Sequence, residues 1–436
     1  MPEPLTPHKP ATAPDTSAAT ARAGQEAASR RAVSRLAAAA VLSVTLALAG
    51  CGTKDATRPE SGAPQSQFTS VRHVAAGNFH PDSTRLSSCE PEQFTCYEQA
   101  FGNLAFDEGP QAAAARVGTM LAHDDPAVRA DCHTIMHAVG SATLARYHGD
   151  AARAMARGSM LCGSGFYHGI VMFALRATSS RPQLVAKVRT MCSDPAVLKT
   201  TFLRYQCVHG LGHGLMIFSV DNLPWALGMC DKLADHWSQQ SCSGGVFMQN
   251  FNLPSRMSPF RSTYVSKKDP LYPCNWSGVQ TRYKYYCYLQ VTEHVLYTTG
   301  YDWKRTAATC AKAQSPWSNI CFQSFGRDVA GDTRYRAAAA YKRCQLTGSF
   351  LADCVFGAAR DFVNNDVNGR RASQFCELVP LLLRGYCFYA IGTILTTFES
   401  RAQTDRTCRS LTPEFSRQCL GYLGDRDRQL LVTVPS

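Results

Sequence analysis

The chain has 436 residues, 45% of them hydrophobic, which suffices for a sizeable core in two or three domains or in one long array. Its net charge of +12 permits contact with anionic surfaces such as phospholipid or wall polymer, but the Lys and Arg residues are scattered singly, which argues against nucleic acid as a partner. Nineteen cysteines with no C-x-x-C or C-x-x-C-H string exclude zinc-ribbon, thioredoxin-like and c-type haem chemistry, and point to an oxidising compartment or to several metal or cluster sites.

Residues 1–29 are rich in Ala, Pro, Thr and Ser and read as a disordered leader. Arg30, Arg31 and Arg35 then precede an apolar run from Leu36 to Ala49, which ends in Leu48-Ala49-Gly50-Cys51. The run is too short for an ordinary transmembrane helix. A basic segment, a short apolar segment and small residues before a cysteine resemble a bacterial lipoprotein signal, over residues 1–50 with the leader. That resemblance implies lipidation of Cys51, a membrane partner and an extracytoplasmic location. The alternative is a cleaved secretory signal that contains a cysteine. Ser29-Arg30-Arg31 resembles a twin-arginine start, so the export route stays open. Residues 51–84 are polar, with scattered Pro and Gly, and read as a disordered tether.

From residue 85 to 425 the chain counts off about ten units, followed by a tail at 426–436. Cys96, Cys132, Cys162, Cys207, Cys242, Cys287, Cys321, Cys354, Cys387 and Cys419 recur at spacings of 36, 30, 45, 35, 45, 34, 33, 33 and 32. A period in the thirties marks helical hairpins stacked into a solenoid. The later units carry an earlier cysteine as well: Cys192, Cys230, Cys274, Cys310, Cys344, Cys376 and Cys408. A turn lies between the two, and a helix that turns and runs back brings such residues to the roughly 5.5 Å Cα separation a disulfide needs. Without Cys51 eighteen cysteines remain, and seven hairpin staples plus Cys89–Cys96 and Cys132–Cys162 use them all. Glycines that follow these cysteines, such as Gly140, Gly165, Gly245, Gly326 and Gly357, read as close helix-on-helix contacts. Gly210, Gly212 and Gly214 are set apart as room for a ligand or a neighbouring helix.

The period and hairpin order resemble those of disulfide-stapled relatives of tetratricopeptide repeats, which implies an all-α, right-handed helical-hairpin solenoid stapled within its repeats. The C-H-x-x-x-H-x-x-G string at Cys132 and the C-x-H-G-L-G-H-G string at Cys207 resemble those of uncharacterised exported bacterial cysteine-rich proteins. That resemblance implies no activity.

Histidine carries the chemistry. Nine of twelve histidines lie between residues 123 and 294, so they mark the N-terminal half of the array rather than the whole. His133 and His137, and likewise His209 and His213, are four apart on one helical face, a spacing at which two imidazoles hold one ion. His168 follows Cys162 at nearly the same register. Equivalent positions in adjacent repeats stand about 8–10 Å apart, so these five can converge. They form a candidate site for Zn, Cu or Fe, with Glu293 and His294 as a further ligand or base. The alternative is buried, hydrogen-bonded core histidines. Asp328 and Asp361, preceded by Arg327 and Arg360, read as an inter-repeat salt-bridge ladder, with polar contacts lining the groove as the second possibility. Tyr283, Tyr285, Tyr286, Tyr288, Tyr297, Tyr301, Trp276 and Trp303 read mainly as core, with a peptide or glycan surface as the alternative. Two functions remain open: a metal site that activates water or oxygen, and a metal-free scaffold that binds a peptide, cell-wall polymer or partner protein in its concave groove.

Overall fold

The computed structural model describes residues 79–91, 93–178, 180–252 and 262–424. The leader, the Leu48-Ala49-Gly50-Cys51 box, residues 51–78 of the expected tether and the C-terminal tail lie outside them. The described residues are all-α, with no strand among them. The helices that form the inner layer are α1 (Phe94–Asp107), α2 (Pro126–Arg146), α3 (Gly165–Arg176), α4 (Thr201–Phe218) and α5 (His236–Phe251), then α6 (Thr281–Gln290), α7 (Thr292–Thr299), α8 (Trp317–Asp332), α9 (Leu351–Asn365), α10 (Leu381–Phe398) and α11 (Ser416–Gly424). Successive inner helices pack side by side along the chain, and shorter helices cover their outer side.

Local chemistry starts these helices where the repeat requires. The Asp125 carboxylate accepts the Val128 N–H at 2.9 Å to open α2, with Pro126 in the first turn, where no N–H is needed. Thr200 caps α4 through the Leu203 N–H at 3.1 Å, and Asp235 caps α5 through the Ser238 N–H at 3.0 Å. In α4 every residue from Gln206 to Met216 is buried, so this helix is the centre of the array and not an edge.

All eighteen described cysteines pair, and the nine bonds are those the spacing predicts. Six staple an outer helix to an inner one, and Cys274–Cys287 ties the turn before α6 to that helix, all at Cα separations of 5.4–5.7 Å. Cys132–Cys162 is different, because it ties α2 to the turn before α3 and so joins two repeats. Nine disulfides are the product of an oxidising, extracytoplasmic environment.

Glycine sets the distance between inner helices at several places, two of them around the histidines. A Cβ at Gly165 would overlap the His133 carbonyl, and one at Gly169 would overlap that of His137. The Gly-x-x-x-Gly face of α3 thus sits on the same helical rungs that carry the α2 histidines. Between α4 and α5 the fit is reciprocal: Gly212 lies on the Cys242 carbonyl and Gly245 on that of His209. This corrects the expectation for Gly212, which is a packing contact like the others. Gly210 lies beside the His168 ring and leaves it space.

Two expectations change in detail. Residues 79–84, assigned to the tether, are fastened to α1: Phe79 rests on Gly102, and Asn103 exchanges hydrogen bonds with Asp82 and donates to the Thr84 carbonyl. The concave side is also not an open groove. The array curls until α4 touches α10, with Phe202 and Phe398 ring centroids 5.7 Å apart, and Arg360 reaches back to donate to the Tyr285 hydroxyl at 3.1 Å. Contacts between distant repeats therefore narrow the concave side to a bounded cavity.

Candidate metal centre

Five histidines from α2, α3 and α4 meet inside this curl. His133, His137 and His168 offer ligand atoms all within 4.8 Å of one another, and so do His168, His209 and His213. On α2 the Nε2 atoms of His133 and His137 face each other at 3.0 Å, and on α4 those of His209 and His213 do so at 3.3 Å. The helical repeat dictates this, since residues four apart stack on one face. Two imidazoles on one tetrahedral ion, each bonded at about 2.0–2.1 Å, bring their nitrogens to roughly 3.3 Å. The observed separations fit an ion held by either pair.

The outer nitrogens show which lone pairs are available. His133 Nδ1 lies 2.8 Å from the Cys162 carbonyl, and His213 Nδ1 lies 3.0 Å from Gln249 Oε1. The Ser241 carbonyl engages His209, whose Nε2 already faces His213. Only an N–H can donate to these oxygens, so the Nε2 atoms of His133 and His213 carry lone pairs directed into the cluster. Cys162 and Ser164 have positive φ values of 57° and 65°, and this left-handed turn presents the Cys162 carbonyl to His133. The Tyr205 ring stacks on His209 at 5.3 Å.

His168 has no such anchor. It is 2% exposed, and neither of its ring nitrogens has a hydrogen-bond partner among the described residues. His137 Nδ1 is likewise unpartnered. A buried polar atom left unsatisfied costs roughly 1–3 kcal/mol, so a ring with both nitrogens in that state could serve as a ligand through either one. Burial, first, and then the neighbouring imidazoles push His137, His168 and His213 well below the ordinary histidine range, and burial brings His209 down to about 4. All are neutral at pH 7, the form that binds metal.

His133, His137 and His213 line a cavity of about 750 Å³, and the same cavity is lined by Glu293, Arg327, Asp328 and Asp361 from α7, α8 and α9. Burial raises the Glu293 carboxyl to about 7, against the pull of Arg327 and with the repulsion of Asp328. Burial raises Asp361 to about 6 in the same setting. Asp328 is held by Arg327 at 2.6 Å and by the Thr292 hydroxyl at 2.6 Å. The expected inter-repeat ladder is not formed: Arg327 pairs with its neighbour Asp328 and acts on Glu293 and Asp361 only through space, while Arg360 turns away to Tyr285.

Of the seven residues named from sequence, five converge, and Glu293 lines the same cavity as three of them, His133, His137 and His213. His294 does not line it. Its Nε2 lies 3.0 Å from the Ser266 carbonyl, and its ring stacks on Phe251. Among the aromatics, Tyr283, Tyr285 and Tyr288 are core, whereas Tyr301 and Trp303 line the cavity. Asp131 escaped the sequence reading. It precedes Cys132 and His133, departs from helical geometry (φ −126°, ψ 18°), lines the cavity and has a buried, unpartnered Oδ2. An acidic residue directly before the C-H-x-x-x-H string was the available signal.

The fold and the site together define a disulfide-stapled all-α repeat protein with a buried five-histidine cluster. No family model, no curated protein and no solved structure matches this chain.

Proposed function

We propose that this is an exported, lipid-anchored helical-repeat protein that binds a transition metal through its buried histidines and activates water against a small polar substrate in the adjoining cavity. One observation carries the reading: His168 is buried between two histidine pairs with both ring nitrogens unpartnered. Imidazole donors suit Zn, Cu or non-haem Fe. With all described cysteines in disulfides, no described thiolate competes for the ion.

An ion held there supplies Lewis-acid activation of water. The remaining work falls to the chain. The Cys162 and Ser241 carbonyls and the Gln249 side chain hold three rings with Nε2 inward. Glu293, poised near 7, takes up and releases a proton at neutral pH, as a general base or acid must. Arg327 holds the Asp328 carboxylate in place at 2.6 Å. Asp131, Glu293, Asp328, Asp332 and Asp361 face the cavity against Arg327, which favours a neutral or cationic substrate bearing hydroxyl or amine groups over an anionic one. The lipid anchor rests on the Leu48-Ala49-Gly50-Cys51 box.

Elemental analysis of the purified exported protein tests this. Wild type retains near-stoichiometric metal, and His209→Gln/His213→Gln loses at least half of it. Wild type that holds no metal under any loading condition would hand the function to a metal-free scaffold binding a peptide, wall polymer or partner protein.

A further inference from the structure

We infer that the five histidines hold two metal ions, one at each i,i+4 pair, and that the His168 imidazole bridges them. This rests on the metal-binding reading of the same site and extends it.

His168 is the member common to both triads. A terminal histidine ligand gives one nitrogen to the metal and the other to a carbonyl, carboxylate or water. His133 and His213 conform, each with one nitrogen on an oxygen and one turned inward, and His137 turns Nε2 to His133 with Nδ1 unpartnered. His168 has two buried nitrogens and no oxygen on either. It lies between the pairs, with ring centroids 5.3 Å from His133 and 5.8 Å from His137 on one side, and 5.7 Å from His209 and 4.3 Å from His213 on the other.

A single ion fits this arrangement poorly. Placed at His133 and His137, it leaves the Nε2 atoms of His209 and His213 3.3 Å apart with no cation between them. Placed at His209 and His213, it leaves one His168 nitrogen buried and unsatisfied. Two ions satisfy both demands. Bridging removes the ring proton of His168: two divalent ions and one neutral imidazole give the bridged pair and one proton released to buffer. The glycine contacts serve this geometry, because Gly165 and Gly169 bring α3 onto the α2 carbonyls while Gly210 leaves room beside the His168 ring.

The test uses the detergent-extracted exported protein, its disulfides checked by non-reducing peptide mapping, loaded with Cu²⁺ and examined by elemental analysis and electron paramagnetic resonance. Two copper ions per chain are expected, with most of the isolated Cu²⁺ signal lost at low temperature through coupling across the bridge. His133→Gln/His137→Gln and His209→Gln/His213→Gln should each bind one ion and restore a full single-ion signal, and both retain His168, so neither depends on a substitution of the bridging ring. Two ions with full, uncoupled intensity overturn the bridge. One ion in wild type also overturns it and leaves the single-metal reading standing. No ion overturns both.

Discussion

His209 Nε2 and His213 Nε2 face each other at 3.3 Å, and the His213 ring donates its Nδ1–H to Gln249 Oε1. The His213 Nε2 lone pair is therefore directed at His209 away from solvent, at a separation that suits two ligands of one cation. Metal binding should stabilise the fold by mass action, by about 2.7 kcal/mol when free metal is a hundredfold above Kd. A chelator is expected to lower the melting temperature of wild type and to leave that of His209→Gln/His213→Gln less affected. Equal shifts in the two proteins would show that these rings bind nothing.

Gly169 is where helix packing and site geometry coincide, since a Cβ there would overlap the His137 carbonyl. Gly169→Ala should force α3 away from α2 and destabilise by about 1–3 kcal/mol, as overpacking does. Metal content should fall with it. Gly118→Ala, where a Cβ meets nothing within 4 Å, is the control and should leave metal content unchanged.

The disulfides separate structural from site-directed roles. Cys408–Cys419 closes a loop with a sequence separation of 11, and its loss should cost about 3 kcal/mol on the chain-entropy estimate while metal content holds. Cys132–Cys162 fixes the turn whose carbonyl anchors His133. Replacing that pair with serine should reduce metal content at equal folded fraction, measured by circular dichroism alongside elemental analysis.

Two opposed pH effects follow from burial. The histidines sit below their unfolded value near 6.5, His209 at about 4, so between those limits the unfolded chain binds more protons and stability is lost as pH falls. Glu293 is raised to about 7 from 4.5, so there the folded chain binds more protons and stability is lost as pH rises. Chelator-treated protein should therefore melt earlier below pH 6, and Glu293→Gln should melt later than wild type at pH 8. No gain for Glu293→Gln at pH 8 would mean that the carboxyl is not buried as described.

The anchor has a separate readout. Cys51→Ala should shift the protein from the membrane fraction to the soluble exported fraction, or block its processing. A wild-type chain that is fully soluble with an unmodified mature N-terminus ends the lipoprotein reading.

Glu293 and His294 show how far sequence reached and where it stopped. Both were candidates, yet neighbouring residues on a helix point about 100° apart, so only one could face the cavity. Glu293 faces the cavity, and His294 lies against Phe251 and the Ser266 carbonyl. Nothing in the local string says which of the two faces inward. Asp131 was similarly hidden, because its role arises from a local departure from helical geometry.

What the sequence determined by itself was everything governed by spacing along one chain segment. Cysteines ten to fifteen apart across a turn pair because a helical hairpin returns them to the same place, and histidines four apart share a face because the helix repeats every 3.6 residues. The tertiary structure decided what depends on the placement of one repeat against another. The depth to which the glycines let α3 settle onto α2, the carbonyls that then anchor His133 and His209, and the curl that brings α7, α8 and α9 into the same cavity are sums of many small packing contacts. Such sums have no local signature, so only the assembled array could show that five histidines converge and that Glu293 lines the cavity beside them.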